Sequence, residues 1–358
     1  MPAAIVSQVI AVDINPATRE VVTGTERYTR ELCSRLPGMA PDLRFRFFAS
    51  RPKSGLDVDV TVLPFRRLWS QVRLPIALAR VRPDLLFVPG HSIPFAWSGR
   101  ALAVVHDLAF ERHPEAYSTA QRLHLQLTTR WAVSRCRLLI AVSESTRDDL
   151  TSLYGADPSG IRVIPHGGGE APRVRPAPAS RLGALGLTGD FVLQVGRVEA
   201  RKNQLAALAA VERVPGLTLA VAGPEVNSAL AVKLQASKAC RVLGRVDDAT
   251  LELLYKRAKA VVVPSLYEGF GLPVLEAMAR GQVVVAARTS ALPEVGGDAV
   301  LYVDDPADAE AFASVLQRAQ ADGDARASIT RRAVKRAREF TWDRCAQQTA
   351  RVIREALS

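Results

Sequence analysis

Short apolar runs alternate with longer amphipathic stretches along most of the chain. In the first half the apolar runs are rich in valine, isoleucine, leucine and phenylalanine, and helical stretches separate several of them: "IVSQVIAVDI", "LRFRFFAS", "VDVTVLP", "DLLFVPG", "ALAVVHDLAF", "RLLIAVS" and "IRVIPHG". Nearly continuous apolar strands separated by helices are typical of a parallel sheet that is covered on both faces. The first half is therefore predicted to be an α/β domain with a doubly wound sheet.

A change of composition divides the chain. Residues 165–190 are rich in glycine, proline and alanine, and the alternation then restarts with "FVLQVGR", "LTLAVAG", "CRVLGRV", "AVVVPS", "QVVVAA" and "AVLYVD". Helix-like stretches follow all but the last two of these runs. We expect a first domain over 1–170, a second over 171–340, and a final helix at about 341–358 that returns to the first. Ligands of two such domains would bind in a shared cleft, at the carboxyl ends of the strands.

Composition and charge narrow the class of protein. The chain has 358 residues, 48% of them hydrophobic and 23% charged, as in a folded globular protein of two domains. Its formal net charge of +11 calls for an anionic partner, and nucleic acid, a membrane surface or a phosphorylated substrate would each qualify. The opening "MPAAIVSQVIAVDINP" is too short to cross a bilayer and lacks a preceding basic residue, so it predicts a first strand. Four scattered cysteines predict a reducing cytoplasm and no zinc site.

The stretch "LYEGFGLPVLEAMARG" places two glutamates around a tight turn. Gly269 and Gly271 permit the turn after the apolar run "AVVVPS", and Pro273 suits the first turn of a following helix. A helix N-terminus attracts phosphate or sugar oxygens through its unbonded N–H groups. Glu268 and Glu276 would then accept hydrogen bonds from the hydroxyl groups of a sugar or a ribose.

Other polar residues follow predicted strands or turns. Arg197 and Lys202 come after the run "FVLQV", where two cations can neutralise a pyrophosphate. His106 follows "ALAVV", and Gly24 in "VVTGTERY" would let the backbone approach a phosphate at the start of a helix. A basic pair is usually a solvated surface feature, but its place at a strand end that opens a helix favours a ligand contact for Arg197 and Lys202. His106 and Gly24, taken alone, could be ordinary loop or turn residues.

Together these motifs resemble those of the retaining GT-B glycosyltransferases of family 4. Glu268-GFGLPVL-Glu276 is similar to the family's paired-glutamate signature, and "VLQVGRVEARKNQ" resembles its Gly-Arg strand end and Lys-Asn helix start. "TGTERYTREL", "VVHDLAFERHPEAY", "AVSESTRDDL", "VIPHGGG" and "PEVGGDAVLYVDD" extend the resemblance over nearly the whole chain. It implies two Rossmann-like domains and transfer of a sugar from a nucleotide diphosphate with retention at the anomeric carbon.

The resemblance also assigns roles to residues. It places Arg197 and Lys202 on the donor diphosphate, Glu268 on the hydroxyls of the sugar, and Glu276 on the ribose. His106 would contact the sugar from the first domain through main-chain or ring groups. The remaining donor contacts would come from the backbone of one glycine before the first helix and of the turn that opens the paired-glutamate helix: Gly24, Phe270, Gly271 and Leu272.

The reaction implied by the resemblance needs neither a metal nor a cofactor besides the nucleotide-sugar donor. GDP-mannose is the first expectation for this donor, because "HDLAFERHPE" resembles bacterial mannosyl- and related hexosyltransferases of surface polysaccharides. UDP- and dTDP-sugars are the next expectations for the donor. The Asp-x-Asp at Asp57 and Asp59 lies in the first half and is interpreted as a turn.

Three rival functions are weighed against sugar transfer. A GT-B epimerase or phosphorylase would share the fold and a sugar ligand. A nicotinamide-dependent dehydrogenase would need a Gly-x-Gly-x-x-Gly turn, which neither "VDINP" nor "VGRVEA" supplies. Only the charge suggests a nucleic-acid-binding protein, since no recognised nucleic-acid motif accompanies it, and we expect no nucleic-acid partner.

The segment "RRLWSQVRLPIALARVR" mixes arginines with apolar residues. It could be a loop and helix with its arginines in water, or a surface for an anionic membrane. The acceptor is expected to be a glycan or a lipid-linked molecule, so we predict peripheral contact with the inner face of the cell membrane. Arg66, Arg67 and Arg73 would contribute to that contact.

Overall fold

A computed structural model of the protein describes residues 8–18, 24–52, 58–65, 68–90, 92–320 and 323–358. Two compact units divide the chain. The first unit consists of the chain up to Gly167 together with Thr341–Ser358, and the second unit is Gly168–Phe340. Asp57, Arg66 and Arg67, which the sequence interpretation used, lie outside the described residues.

The described residues of the first unit contain a seven-stranded sheet in the order β3-β2-β1-β4-β5-β6-β7, with every neighbouring pair parallel. Most of its strand residues are apolar, as burial on both faces requires, whereas two outer strands also expose polar residues. They are β1 (Val9–Asp13), β2 (Arg44–Ala49), β3 (Val60–Val62), β4 (Leu85–Val88), β5 (Ala101–Val105), β6 (Leu138–Ala141) and β7 (Ile161–Val163).

Helices cover this sheet. They are α1 (Gly24–Met39), α2 (Leu74–Val81), α3 (Ala109–Arg112), α4 (Thr119–Arg135), α5 (Glu144–Tyr154) and, from the end of the chain, α14 (Trp342–Leu357). A π-helical turn, Trp69–Arg73, leads into α2. α14 packs against α1, and Arg35 of α1 donates from Nε to Asp343 at 2.9 Å.

The second unit has a six-stranded sheet among its described residues, in the order β10-β9-β8-β11-β12-β13, and it too is parallel throughout. Its strands are β8 (Asp190–Val195), β9 (Leu217–Ala222), β10 (Cys240–Gly244), β11 (Val261–Val263), β12 (Val284–Ala287) and β13 (Leu301–Val303). Its helices are α6 (Ser180–Ala184), α7 (Gln204–Val211), α8 (Ser228–Gln235), α9 (Asp248–Arg257), α10 (Leu272–Ala279), α11 (Leu292–Gly296), α12 (Ala309–Gln320) and α13 (Asp324–Ala337).

Both sheets have the strand order of a Rossmann-like domain, so the predicted α/β fold with two doubly wound domains is confirmed. In each sheet the chain winds outward from a central pair of strands, β1 beside β4 and β8 beside β11. Ligands of such sheets bind outside the carboxyl ends of the strands at this switch point. The loops that follow β8 and β11 are therefore where a ligand of the second unit is expected.

One prediction from the sequence pattern is wrong. The pattern predicts no helix after the last two apolar runs, but α11 follows β12 and α12 follows β13. α11 has five residues and is too short to show helical periodicity. α12 is clearly amphipathic, with Phe312, Val315 and Leu316 buried on one face, so its helical signal was present in the sequence and was missed.

No helix in the described part of the chain combines the length and the apolar character that a membrane span requires.

Candidate functional site

The turn between β11 and α10 is built around a glycine. Gly271 has a φ of 103° and caps the N-terminus of α10, and a Cβ atom at this position would lie 2.8 Å from Leu292 Cδ2. Both the backbone conformation and the close approach require glycine. Pro273 stands in the first helical turn, where its missing N–H costs nothing. The turn therefore delivers a helix N-terminus to the carboxyl edge of the sheet, as the sequence predicts.

Glu268 lies in this turn and is buried, with 6% of its surface exposed. Lys202 Nζ donates to Glu268 Oε1 at 2.5 Å, and Arg201 Nη1 lies 3.6 Å from Oε2. Ser265 Oγ donates to Oε1 at 2.8 Å. A buried carboxylate is tolerated only when it is paired and hydrogen-bonded in this way.

The loop after β8 supplies these cations. A short 3-10 turn, Ala200–Lys202, ends at Asn203, whose φ of 54° is left-handed. The Asn203 amide donates to the carbonyls of Pro264 and Pro306, at 3.0 and 2.6 Å. Leu266 N donates to the Arg201 carbonyl at 2.9 Å. The loops after β8 and β11 are thus joined through the Arg201 carbonyl on one side of Lys202 and the Asn203 side-chain amide on the other.

The charge state of Glu268 follows from these contacts. Burial alone would raise its pKa, but the charges of Lys202 and Arg201 and the hydrogen bonds from Lys202 and Ser265 outweigh it. The pKa of Glu268 is therefore held below its usual range, and the carboxylate is ionised at neutral pH.

Sequence reasoning missed Ser265, Arg201 and Ser290 in this cluster. Arg201 donates from Nη1 to the Tyr267 carbonyl at 2.7 Å and pairs with Glu199 Oε1 at 2.7 Å. Its position next to Lys202 in the sequence was the available signal. Ser290 has a left-handed φ of 44° and accepts the Glu268 N–H on its Oγ at 2.8 Å. No local pattern indicates this serine, because its role depends on the loop after β12.

The other predicted donor contacts of the second unit lie on the loop after β8, in the turn after β11 or on α10, and their exposure differs. Arg197 is exposed, and its carbonyl accepts from Gln204 Nε2 at 2.7 Å. Phe270 is 5% exposed and its ring meets Phe340 edge-on at 5.8 Å, so its side chain is a packing group. Leu272 begins α10, where the first N–H groups of a helix have no intrahelical acceptor. Glu276 is half-buried on the same helix.

His106 in the first unit directly follows β5 and makes two internal hydrogen bonds. Its Nε2 lies 2.8 Å from the Pro89 carbonyl, and its Nδ1 lies 3.2 Å from His166 Nε2. Tyr28 of α1 is fully buried and packs against both rings, with centroids at 4.8 and 4.7 Å. Gly24 is the first residue of the same helix.

The Pro89 carbonyl fixes the tautomers of this histidine pair. A carbonyl only accepts, so His106 Nε2 carries the proton and, in a neutral ring, Nδ1 is an acceptor. His166 must then donate from Nε2 to His106 Nδ1. Burial lowers the pKa of His106, and burial together with His106 and Arg27 lowers that of His166 well below its usual value. Both rings are therefore neutral at pH 7.

Within the described ranges, no group of three or more His, Cys, Asp or Glu side chains is arranged to hold a metal ion.

The histidine pair predicts a loss of stability in acid. The folded pKa values lie below the unfolded value of about 6.5, so the unfolded state binds more protons once the pH falls below that value. Stability is then full above about pH 6.5 and decreases below it, by up to about 1.4 kcal/mol per pH unit for each proton. Urea unfolding between pH 5 and 7.5 measures this slope, which should shrink in His166→Gln.

The exposed His124 on α4 provides the matched control. His124→Gln should retain the slope of the wild-type protein. Equal slopes in the wild type and in His166→Gln would show that the pair is not the source of the acid sensitivity.

Comparison with known proteins identifies both units. Residues 22–167 match the family model "Glycosyltransferase Family 4", and residues 184–336 match "Glycosyl transferases group 1". The chain is 32% identical to O-antigen chain mannosyltransferase B of Escherichia coli over 70% of this chain and 69% of that protein. It is 30% identical to D-inositol 3-phosphate glycosyltransferase of Actinosynnema mirum over 90% of this chain and 85% of that one.

Solved structures share the fold. Sucrose-phosphate synthase from Thermosynechococcus elongatus has a TM-score of 0.75 at 22% identity, covering 97% of this chain and 98% of that one. Anabaena HepE in complex with UDP and glucose has a TM-score of 0.76 at 19% identity, covering 97% and 100%. Together with the two family models and the relatives, these structures show that the chain belongs to the family 4 glycosyltransferases and has the GT-B fold, with two Rossmann-like units.

Proposed function

We propose that this glycosyltransferase moves a hexosyl group, mannose in the first instance, from a nucleotide diphosphate to a glycan or lipid-linked acceptor, with retention and without a metal. The observation that carries the proposal is the cluster of Lys202, Arg201 and Glu268 beside the N-terminus of α10. It combines cations and a helix N-terminus for a diphosphate with a fixed carboxylate for hydroxyl groups.

In the proposed complex, cations and backbone N–H groups contact the diphosphate of the donor, and carboxylates contact its hydroxyl groups. Arg197 and Lys202 bind the diphosphate, and the backbone of Phe270, Gly271 and Leu272 adds N–H groups. Lys202 carries three N–H donors, so it can keep its bond to Glu268 while it contacts a phosphate oxygen. Glu268 accepts from the sugar hydroxyls and Glu276 from the ribose. In the first unit, His106 contacts the sugar and Gly24 lies against a phosphate.

The chemical step is a displacement on one face of the sugar. The bond from the anomeric carbon to the phosphate oxygen breaks, and the bond to the acceptor oxygen forms on the same face. The acceptor proton passes to the departing phosphate, which is the nearest base. Lys202 and Arg197 stabilise the negative charge that grows on the diphosphate as the sugar leaves. Glu268 acts by binding hydroxyl groups, and its ion pairs make it a poor nucleophile.

Mannose is favoured by the names of the relatives. O-antigen chain mannosyltransferase B and the serotype-specific mannosyltransferase WbdA, both from Escherichia coli, are mannosyltransferases by name. HepE was solved with UDP and with UDP-glucose, so UDP-sugars are the next donors to test.

The donor is tested with a panel of GDP-mannose and UDP- and dTDP-hexoses, followed for release of the nucleoside diphosphate with and without EDTA. We expect GDP-mannose to turn over fastest and EDTA to leave the rate unchanged, because fixed cations take the place of a metal ion at the diphosphate. An absolute need for a divalent ion would contradict the metal-independent mechanism. Interconversion of the sugar nucleotide or phosphorolysis, without transfer, would indicate an epimerase or phosphorylase.

The site is tested by Glu268→Ala, Lys202→Ala and Arg197→Ala. Loss of a charge-assisted contact in the transition state costs about 2 to 4 kcal/mol, so each variant should lose about two to three powers of ten in kcat. The double variant of Glu268 and Lys202 should lose less than the sum of its parts, since the two side chains form one pair.

Lys259→Ala is the matched control, because Lys259 forms an exposed ion pair with Asp190 in the same unit. Its turnover should equal that of the wild type. If all three site variants turned over at nearly the rate of the wild type and of the Lys259→Ala control, this cluster would be excluded as the donor site.

We also propose that the first unit contacts an anionic membrane through the run from the π-helical turn to α2. Leu68, Val72 and Ile76 recur every four residues along it and are 68%, 40% and 45% exposed. The sequence from 68 to 82 contains no acidic residue, and Arg80 and Arg82 are exposed. Exposed apolar side chains beside exposed arginines suit an anionic lipid surface, at about 1 kcal/mol per basic residue near the surface.

Co-sedimentation with phosphatidylglycerol and with phosphatidylcholine vesicles tests this contact. We expect weak, salt-sensitive pelleting with the anionic vesicles alone, and its loss in Leu68→Ser/Val72→Ser/Ile76→Ser and in Arg80→Glu/Arg82→Glu. The control replaces three exposed apolar residues of the second unit by serine: Leu205, Val226 and Val232. Equal pelleting of both test variants and the control would leave the arginines as solvated surface and favour a soluble acceptor.

A further inference from the structure

A second polar cluster surrounds Glu276 and is separate from the Lys202 cluster. It consists of Glu252 and Tyr255 on α9 and Glu276 and Arg280 on α10. Only Glu276 is singled out by the sequence motifs. The other three residues have no role in the function proposed above.

Tyr255 is fully buried, and its hydroxyl donates to Glu276 Oε2 at 3.1 Å. Burial, together with the adjacent Glu276 carboxylate, raises the pKa of Tyr255 well above its usual value. The phenol therefore keeps its proton and remains a hydrogen-bond donor over the whole working pH range.

Arg280 holds the tyrosine ring and the backbone of Glu276 together. Its guanidinium lies 4.3 Å from the centroid of the Tyr255 ring, and its Nη1 donates to the Glu276 carbonyl at 2.8 Å. Its Nε donates to Glu252 at 2.9 Å, and both side chains of that pair are 11% exposed. The ring position is thus set by a buried ion pair on one side and by Glu276 on the other.

The two motif glutamates are therefore held by different chemistry. Lys202 and Arg201 pair with the charge of Glu268, whereas the contact from Tyr255 to the Glu276 carboxylate comes from a neutral hydroxyl. An ionised carboxylate has acceptor sites for several hydrogen bonds, so a fixed Glu276 can still receive two hydroxyl groups. Fixing the side chain beforehand also removes the rotamer entropy that binding would otherwise cost.

We propose that Tyr255 is a positioning residue that presents the Glu276 carboxylate to the two vicinal ribose hydroxyls and so sets a preference for a ribose-bearing nucleotide. The inference rests on the proposed function, in which Glu276 binds the ribose of the donor. Arg280 and Glu252 support the tyrosine in this role.

The test is Tyr255→Phe, which removes only the hydroxyl. Isothermal titration measures the Kd of GDP and UDP and of their 2′,3′-dideoxy analogues. We expect the ribonucleotide that binds best to lose roughly tenfold in affinity, the effect of one hydrogen bond to a charged group, and the dideoxy analogue to change by less than about twofold. In a Glu276→Gln background, Tyr255→Phe should have no further effect on either ligand.

Tyr154→Phe is the matched control, because the Tyr154 hydroxyl also donates to a glutamate, Glu111, but in the first unit. It should leave both affinities unchanged. Equal losses for the ribonucleotide and the dideoxy analogue in Tyr255→Phe would show a structural role and overturn the inference, and so would an unchanged ribonucleotide affinity.

The failure of the proposed function has a different signature. If Glu276→Gln binds the ribonucleotide as well as the wild type does, or if the wild type binds neither GDP nor UDP, the assignment of the nucleotide site is wrong. If Glu276→Gln weakens ribonucleotide binding and Tyr255→Phe does not, the site stands and only the positioning role of Tyr255 is lost.

Discussion

The buried charge of Glu268 is the constraint on which the second unit's site depends. Removing a carboxylate from water costs several kcal/mol, and the cost is met only by cations and donors in fixed positions. Lys202, Arg201 and Ser265 supply them, and the Asn203 amide locks the backbone that carries the first two. Lys202 and Arg201 lie on the loop after β8, and Ser265 lies with Glu268 on the loop after β11, so the contacts of the carboxylate connect the two loops. Loss of one partner would leave a buried, partly unpaired charge, so the contacts between the two loops and the burial of Glu268 depend on each other.

Topology makes this pairing possible. β8 and β11 are neighbours and run in the same direction, although the segments of β9 and β10 separate them in the sequence. Their loops therefore leave the sheet at the same edge, and Lys202 meets Glu268 across 66 positions of sequence. The loop after β12 reaches the same edge and brings Ser290 to the Glu268 backbone. A parallel sheet needs no special long-range signal for this convergence, since strand order alone produces it.

Features of the site that depend only on residues close together in the sequence could be predicted. The Gly-Phe-Gly turn, Pro273 and the two glutamates are close in sequence, so the helix start and the positions of its acids could be predicted. Arg201, Tyr255 and Ser290 could not be given roles, because their partners lie on other loops or helices and none follows a periodic pattern. For Phe270 the sequence assigns a role to the backbone alone, and only the structure shows that its ring packs against Phe340. The length of α11 set a further limit, since five residues show no periodicity.

The first unit constrains the proposed proton transfer in a different way. His106 is the residue there that would ordinarily serve as a base, but its Nε2 proton is given to the Pro89 carbonyl and its Nδ1 lone pair faces His166. Accepting a further proton would break the bond to His166 and place a charge where burial already lowers the pKa of both rings. A neutral, internally bonded ring can orient a sugar through its edge or its main chain, but it is a weak base. This agrees with the proposed mechanism, in which the proton of the acceptor hydroxyl leaves with the diphosphate, whose charge grows as its bond to the sugar breaks. The ion pairs around Glu268 lead to the same result, because a carboxylate that is stabilised by two cations is also a poor base.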